Sequence, residues 1–414
     1  MDTSWLLALL LLQTVLTEAA LGVGVGIGVG IGGGGGGVWI GGGGAGGNNS
    51  PATPPGSSAP KLKNAYTALQ AWRSAITEDP LGILDNWVGS NVCSYKGVFC
   101  GEPQEEVGGD PTGPAVAAID LNHGNLKGTL VKELGLLADL SLLHLNSNRF
   151  TGTVPYSFKD LSSLSELDLS NNQFSGQFPT PTLLIPNLVY LDLRFNSFSG
   201  PVPEDLFNRK LDAIFLNNNQ FNGQIPSNLG NSPASVINLA NNKFSGNIPF
   251  SLGYTGPRLK EILFLNNQLT GCIPEGVGLW QDLQVLDASF NSLMGQLPDS
   301  ISCLEDIEVL NLAHNKLSGE LPDVVCSLSS LMNLSVAYNF FSGFSQDCAK
   351  LLHSNVGFDF SLNCIAGRAM QRPEPECSVI PGGGLNCLRI PAAGPLVCGV
   401  LGDLTGSRFS TSSP

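Results

Sequence analysis

The chain has 414 residues, of which 51 are glycine, 42% are hydrophobic and 13% are charged; the net charge is -14 and the pI about 4.6. That balance excludes nucleic acid and anionic membranes as partners, because both select basic faces, and it permits a basic ligand. A length of this order predicts two or three globular domains unless an internal repeat overrides it.

Leu6 to Leu16 form a short apolar run, followed by Thr17-Glu18-Ala19, a small-x-small cleavage pattern, so residues 1–19 read as a secretory signal peptide. The run is too short for a membrane span, which needs about 20 apolar residues. Residues 20–60 pass from Gly-Val and Gly-Ile alternation through polyglycine to Asn, Ser and Pro, and read as a disordered linker. A wall-associating glycine-rich segment is the alternative. Asn48, two residues before Ser50, is an N-glycosylation acceptor.

Residues 61–115 read as an amino-terminal cap. Leu69, Trp72 and Ile76 share one face of a helix that Pro80 stops, and Trp87 leads into Cys93-Ser-Tyr-Lys-Gly-Val-Phe-Cys100, with Cys93 expected to pair with Cys100. Glu102 to Pro114 is an acidic, solvated loop.

From Val116 to residue 345 one frame recurs, restarting at Leu140, Leu164, Leu188, Leu211, Ala234, Leu259, Leu283, Ile307 and Leu331, with steps of 23 to 25 residues. The copy from Leu140 to Pro155 reads L-x-x-L-x-L-x-x-N-x-F-x-G-x-V-P. This period and pattern define an α/β solenoid, a right-handed leucine-rich-repeat superhelix of plant type with about ten repeats and disulfide-capped ends. Leu143 and Leu145 alternate inward from a short strand. Asn148, Asn172, Asn196, Asn219 and their equivalents satisfy backbone groups in the buried turn that follows. Phe150, Phe174, Phe198, Phe221 and Phe244 form an aromatic column, and Gly152 and its equivalents allow the bend. All these columns are scaffold.

Ten cysteines beside a signal peptide imply an oxidising compartment. Cys326 is expected to pair with Cys348 and close the last repeats, whereas spacing leaves open whether Cys272 and Cys303 meet. Residues 346–398 form a cysteine-rich tail holding Cys364, Cys377, Cys387 and Cys398, spaced too widely for a zinc site, and 399–414 read as disordered. A flexible tail with four cysteines predicts a disulfide-linked homodimer.

The chain carries no catalytic constellation. His123, His144 and His314 fall in copies far apart, and no nucleophile elbow, phosphate loop or His-Glu-x-x-His is present, so it reads as a non-enzyme without cofactor or metal. The strand positions between the leucines face the concave side. They bring acidic Glu166, Asp168, Asp192, Glu261 and Asp287 onto one face with Tyr190, Arg194 and Phe215, with Phe290 on its lateral edge. Aromatic anchors rimmed by carboxylates suit a basic, partly apolar peptide, and histidines beside them would weaken its capture when protonated. Asn333, before Ser335, is a second glycosylation acceptor, on the last concave strand of that frame.

Several strings depart from the generic repeat: Leu143-His-Leu-Asn-Ser-Asn-Arg-Phe150, Leu191-Asp-Leu-Arg-Phe-Asn196, Ile225-Pro-Ser-Asn-Leu-Gly-Asn-Ser-Pro233, the cap from Cys93 to Cys100, and Asn339-Phe-Phe-Ser-Gly343. In these the chain resembles the plant leucine-rich repeat extensins over about residues 62 to 398. The resemblance implies an extracellular wall protein whose repeats bind small basic cysteine-rich signalling peptides of the rapid alkalinization factor type, and a tail that joins two protomers. The Ser-Pro-rich extensin domain of that family has no counterpart before Pro414, which puts covalent wall anchoring in doubt. Cell-wall polysaccharide is a further partner consistent with this reading. The alternative is a secreted inhibitor similar to polygalacturonase-inhibiting proteins, which also have about ten such repeats.

Overall fold

The structure is a computed structural model and describes residues 60–101, 113–251, 258–380 and 387, all within one compact unit, Ser58–Pro414. The signal peptide, the glycine-rich linker, Asn48, nearly all of the acidic loop, Cys398 and residues 399–414 lie outside the described residues.

Each repeat contributes two short strands. Among the described residues the first strands form a 12-stranded sheet and the second strands an 11-stranded sheet. In the first sheet Val98–Gly101 runs antiparallel to Ala115–Asp120, and every later pairing is parallel, through Leu142–His144, Glu166–Asp168, Tyr190–Asp192 and Ala213–Phe215 onward. The return arms are closed by 3-10 turns, such as Tyr156–Asp160 and Glu204–Asn208. Pro155, Pro203, Pro274 and Pro298 stand immediately before such turns with extended backbone, where a residue without an N–H removes no needed donor. The sheet also runs one turn past the expected repeat boundary at residue 345: Gly357–Asp359 pairs with Asn333–Ser335.

The asparagine column is the main polar device of the core. Asn219 accepts from the Phe198 N–H at 3.0 Å and donates to the carbonyls of Leu193 at 2.8 Å and Leu216 at 3.1 Å, so one carboxamide ties two repeats together. Asn363 repeats the pattern, accepting from Phe341 N–H and donating to Val336 O, inside the segment expected to be an irregular tail. The phenylalanines stack from Phe150 to Phe244 with ring centroids 6.2 to 6.4 Å apart. The column starts in the cap, where Trp72 lies 5.8 Å from Phe150 and 6.0 Å from Trp87.

The helix Pro60–Ala75 buries Ala65, Ala68, Leu69 and Trp72. It ends before Pro80, because β-branched Ile76 and Thr77 enter a strand, Ile76–Glu78, that seals the second sheet against Lys127–Thr129.

The cysteines split into expected and unexpected pairs. Cys93–Cys100 and Cys326–Cys348 form as the spacing predicts. Of the four tail cysteines, three are described and all three pair within the chain: Cys364 pairs with Cys377, and Cys387 returns across 115 residues to Cys272. Cys303 is disulfide-bonded as well, so Cys272 and Cys303 do not meet, and no described cysteine is free. The expectation of a disulfide-linked dimer through Cys364, Cys377 and Cys387 is therefore corrected, because their sulfurs are used within the chain. Gly295 makes the long-range bridge possible, since a Cβ there would overlap the Cys387 sulfur.

Candidate ligand-binding face

The first sheet sets its side chains in ladders, because parallel strands in register place equivalent positions side by side. One ladder runs Asp120, His144, Asp168, Asp192, Phe215 and Asn238, and continues through Leu263, Asp287 and Asn311 to Asp359. Beside it lie Glu166, Tyr190 and Ala213, and further on Glu261.

Most of the aspartates have a local task. Asp168 accepts from the backbone N–H and hydroxyl of Ser170 at 2.8 and 2.5 Å. Asp287 does the same with Ser289 and also accepts from Asn311 Nδ2 at 2.9 Å. A carboxylate two residues before the turn thus closes it, as Asp and Asn side chains commonly do. Burial pushes the Asp287 and Glu261 carboxyls up; for Asp287 the Ser289 and Asn311 hydrogen bonds oppose the shift.

Asp192 differs from the sequence expectation. It was expected on the open face, yet its side chain is 0% exposed, held by Arg194 Nε at 2.9 Å and the Tyr190 hydroxyl at 3.2 Å. The bulky neighbours Tyr190 and Arg194 close over it, so it supports the face from beneath. The Phe215 ring is likewise half-buried, 5.7 Å from the Tyr190 ring with the Arg194 guanidinium 5.1 Å from its centroid. Tyr190, Arg194 and Phe215 therefore act as one packed unit over a buried carboxyl, a grouping that alternation along a single strand does not reveal.

Upstream, His144 Nε2 lies 3.2 Å from Glu166 Oε2. Burial opposes the imidazolium, but the Glu166 hydrogen bond and the charges of Asp168, Glu166 and Asp120 outweigh it and raise the His144 pKa, while that same hydrogen bond lowers Glu166. Phe290 is 39% exposed on the sheet edge, stacked 4.0 Å from His314. Asn333 is half-buried in the strand that pairs with Gly357–Asp359.

The Asp192 environment gives a pH prediction. Burial first, and the charge of Asp168 second, push its carboxyl from 3.8 to about 7, against the attraction of Arg194. Burial prevails because the carboxylate is fully desolvated, whereas Arg194 keeps 27% of its side-chain surface in water. The folded state then holds a proton that the unfolded chain releases near 3.8. The stability from this group is complete below that value and is lost as pH rises to about 7. Urea unfolding at acid and neutral pH should show Asp192→Asn removing part of that decline; an unchanged slope would refute the assignment.

Among the described residues no helix is long and apolar enough to cross a membrane, and no cluster of His, Cys, Asp and Glu could hold a metal ion. The model for the leucine-rich repeat N-terminal domain matches residues 62–101, and leucine-rich-repeat models match 138–198, 282–304 and 306–328. The chain is a leucine-rich-repeat protein. It is 63% identical over 231 residues to leucine-rich repeat extensin-like protein 7 of Arabidopsis thaliana (56% of this chain, 52% of the relative) and 51% identical over 234 residues to extensin-like protein 6 (56% and 49%). Over its repeat region the chain is similar to these leucine-rich repeat extensin-like proteins, and it spans about half their length. Among solved structures it is similar to the Arabidopsis receptor kinase HAESA ectodomain in complex with an IDA peptide hormone (TM-score 0.61, 30% identity, 73% of this chain and 50% of that one). It is also similar to a plant peptide hormone receptor, RGFR1, in complex with RGF2 (0.57, 28%, 60% and 40%).

Proposed function

We propose that the first sheet binds a basic, cysteine-rich signalling peptide of the rapid alkalinization factor type, and that the chain works outside the cell, in wall integrity and growth signalling. The observation that carries this reading is the in-register grouping of Glu166, Asp168, Tyr190 and Phe215 on one open sheet face, with the Arg194 guanidinium over the Phe215 ring. The likeness to peptide-hormone receptor ectodomains supports it. Asp192 supports the Tyr190–Arg194–Phe215 unit from below, and Glu261, Asp287 and Phe290 extend the face toward later repeats. A glycan on Asn333 would sit beyond these residues and leave them clear. The intrachain disulfides among the described residues, Cys93–Cys100, Cys272–Cys387, Cys326–Cys348 and Cys364–Cys377, suit an oxidising compartment.

Surface plasmon resonance of a synthetic peptide of that type over the immobilised full chain tests the ranking of contacts. Phe215→Ala should weaken binding by about 2 kcal/mol, mainly through faster dissociation, as expected for a central aromatic anchor. Asp168→Asn should cost only about 0.5–1 kcal/mol, since this carboxylate keeps one side in water. Association should slow as salt rises, because screening shortens the field to about 8 Å at physiological ionic strength. Unchanged affinity in both variants would reject the placement.

A further inference from the structure

The residue that ends each strand turn adopts left-handed backbone: φ is 58° at Ser147, 51° at Asn171, 53° at Phe195, 56° at Asn218, 53° at Asn241, 52° at Asn266, 53° at Phe290, 55° at His314 and 57° at Tyr338. Asparagine tolerates this region, whereas for a bulky aromatic it is strained. Strained backbone held by the surrounding fold clusters at ligand sites. The solenoid core does not bury these aromatics, since Phe195, Phe290 and Tyr338 are 48%, 39% and 40% exposed.

These positions form one continuous edge along the solenoid. Asn171 donates to Ser147 Oγ at 2.8 Å, and Asn266 donates to Asn241 Oδ1 at 2.8 Å. Phe290, His314 and Tyr338 stack face to face, with centroids 4.0 and 3.9 Å apart and planes within 14°. The edge therefore has two aromatic stations, Phe195 and the Phe290 stack, separated by three carboxamides.

We propose that this edge grips an extended stretch of peptide that carries two aromatic side chains about six residues apart. The proposal deepens the peptide-binding reading above and rests on it. The separation follows from geometry: four strand steps of about 4.8 Å make about 19 Å, and extended chain advances about 3.3 Å per residue. Asn218, Asn241 and Asn266 between the stations suit a peptide backbone, because each carboxamide carries both donor and acceptor atoms. A sugar ring would need open aromatic faces, and within the Phe290–His314–Tyr338 stack the facing surfaces are spent on one another. The incoming side chains meet ring edges, the favoured geometry for an aromatic arriving face-on.

The test uses the full chain and synthetic peptides with lysine at both ends, Ser-Gly spacers, and two tyrosines placed from i,i+3 to i,i+9. Titration calorimetry should find the tightest binding at i,i+6, at least fivefold above i,i+3. Phe195→Asn and Phe290→Asn should each weaken that peptide at least fivefold and flatten the spacing preference. Both variants should unfold at the wild-type temperature or above it, because asparagine relieves the backbone. A flat spacing profile, or asparagine variants that bind like wild type, overturns the proposal. If Asp168→Asn still weakens binding in that case, the concave-face reading stands while the edge falls. Failure of every spacer peptide to bind overturns the edge proposal alone, since the concave-face reading is decided by the cysteine-rich peptide above.

Discussion

Asn219→Ala should destabilise the protein by about 3–5 kcal/mol, although it removes a single small side chain. Asn219 is 8% exposed, and its carboxamide satisfies the Phe198 N–H together with the carbonyls of Leu193 and Leu216. Truncation leaves these groups buried without their partner, and each such loss costs about 1–3 kcal/mol. The damage spans two repeats, because the donor and acceptors belong to neighbouring turns, and a solenoid depends on such interfaces. Ser197→Ala, at an exposed position of the second sheet, should shift stability by no more than about 0.5 kcal/mol. Urea unfolding followed by circular dichroism measures both. An Asn219→Ala loss below about 1 kcal/mol would mean that water replaces the carboxamide.

Trp72→Ala should be comparably severe, about 3–5 kcal/mol, the usual range for deleting a buried aromatic. Trp72 is fully buried and forms the first member of the ring column through Phe150. Its loss opens a cavity between the cap and the first repeats, so the amino-terminal end should also become sensitive to protease. Trp72→Phe should be much milder. It keeps a ring on Phe150 and deletes an indole N–H that has no acceptor. Equal losses in the two variants would show that the column does not depend on a ring at this position.

The periodic features were legible in the sequence for a physical reason. Asn148, Phe150 and Gly152 recur because every turn poses the same backbone problem, and the repeat displays the solution many times. Cys93–Cys100 and Cys326–Cys348 were legible because short separations leave few partners. Features that depend on contacts between distant segments were not. The Cys272–Cys387 bridge joins residues 115 apart, and only the Gly295 clearance shows how the second sulfur approaches. The turn at Gly357–Asp359 escaped because Phe358 and Phe360 stand where the pattern has leucines; Asn363 was the available signal. Asp192 was misplaced because strand alternation gives the face a residue points to but not what covers it. The aromatic edge did leave a trace, since Phe195, Phe290 and Tyr338 directly precede turn asparagines. Its significance became apparent only with their backbone angles.

Photo-crosslinking tests the central claim most directly. A benzophenone amino acid replaces Phe215 on the first sheet or Tyr156 on a return arm, where the side chain is 65% exposed. Each variant is irradiated with a synthetic peptide of the rapid alkalinization factor type. Capture by the position-215 probe and not by the position-156 probe is the predicted result. Capture at 156 with none at 215 would contradict it and place the ligand on the outer arc of the solenoid.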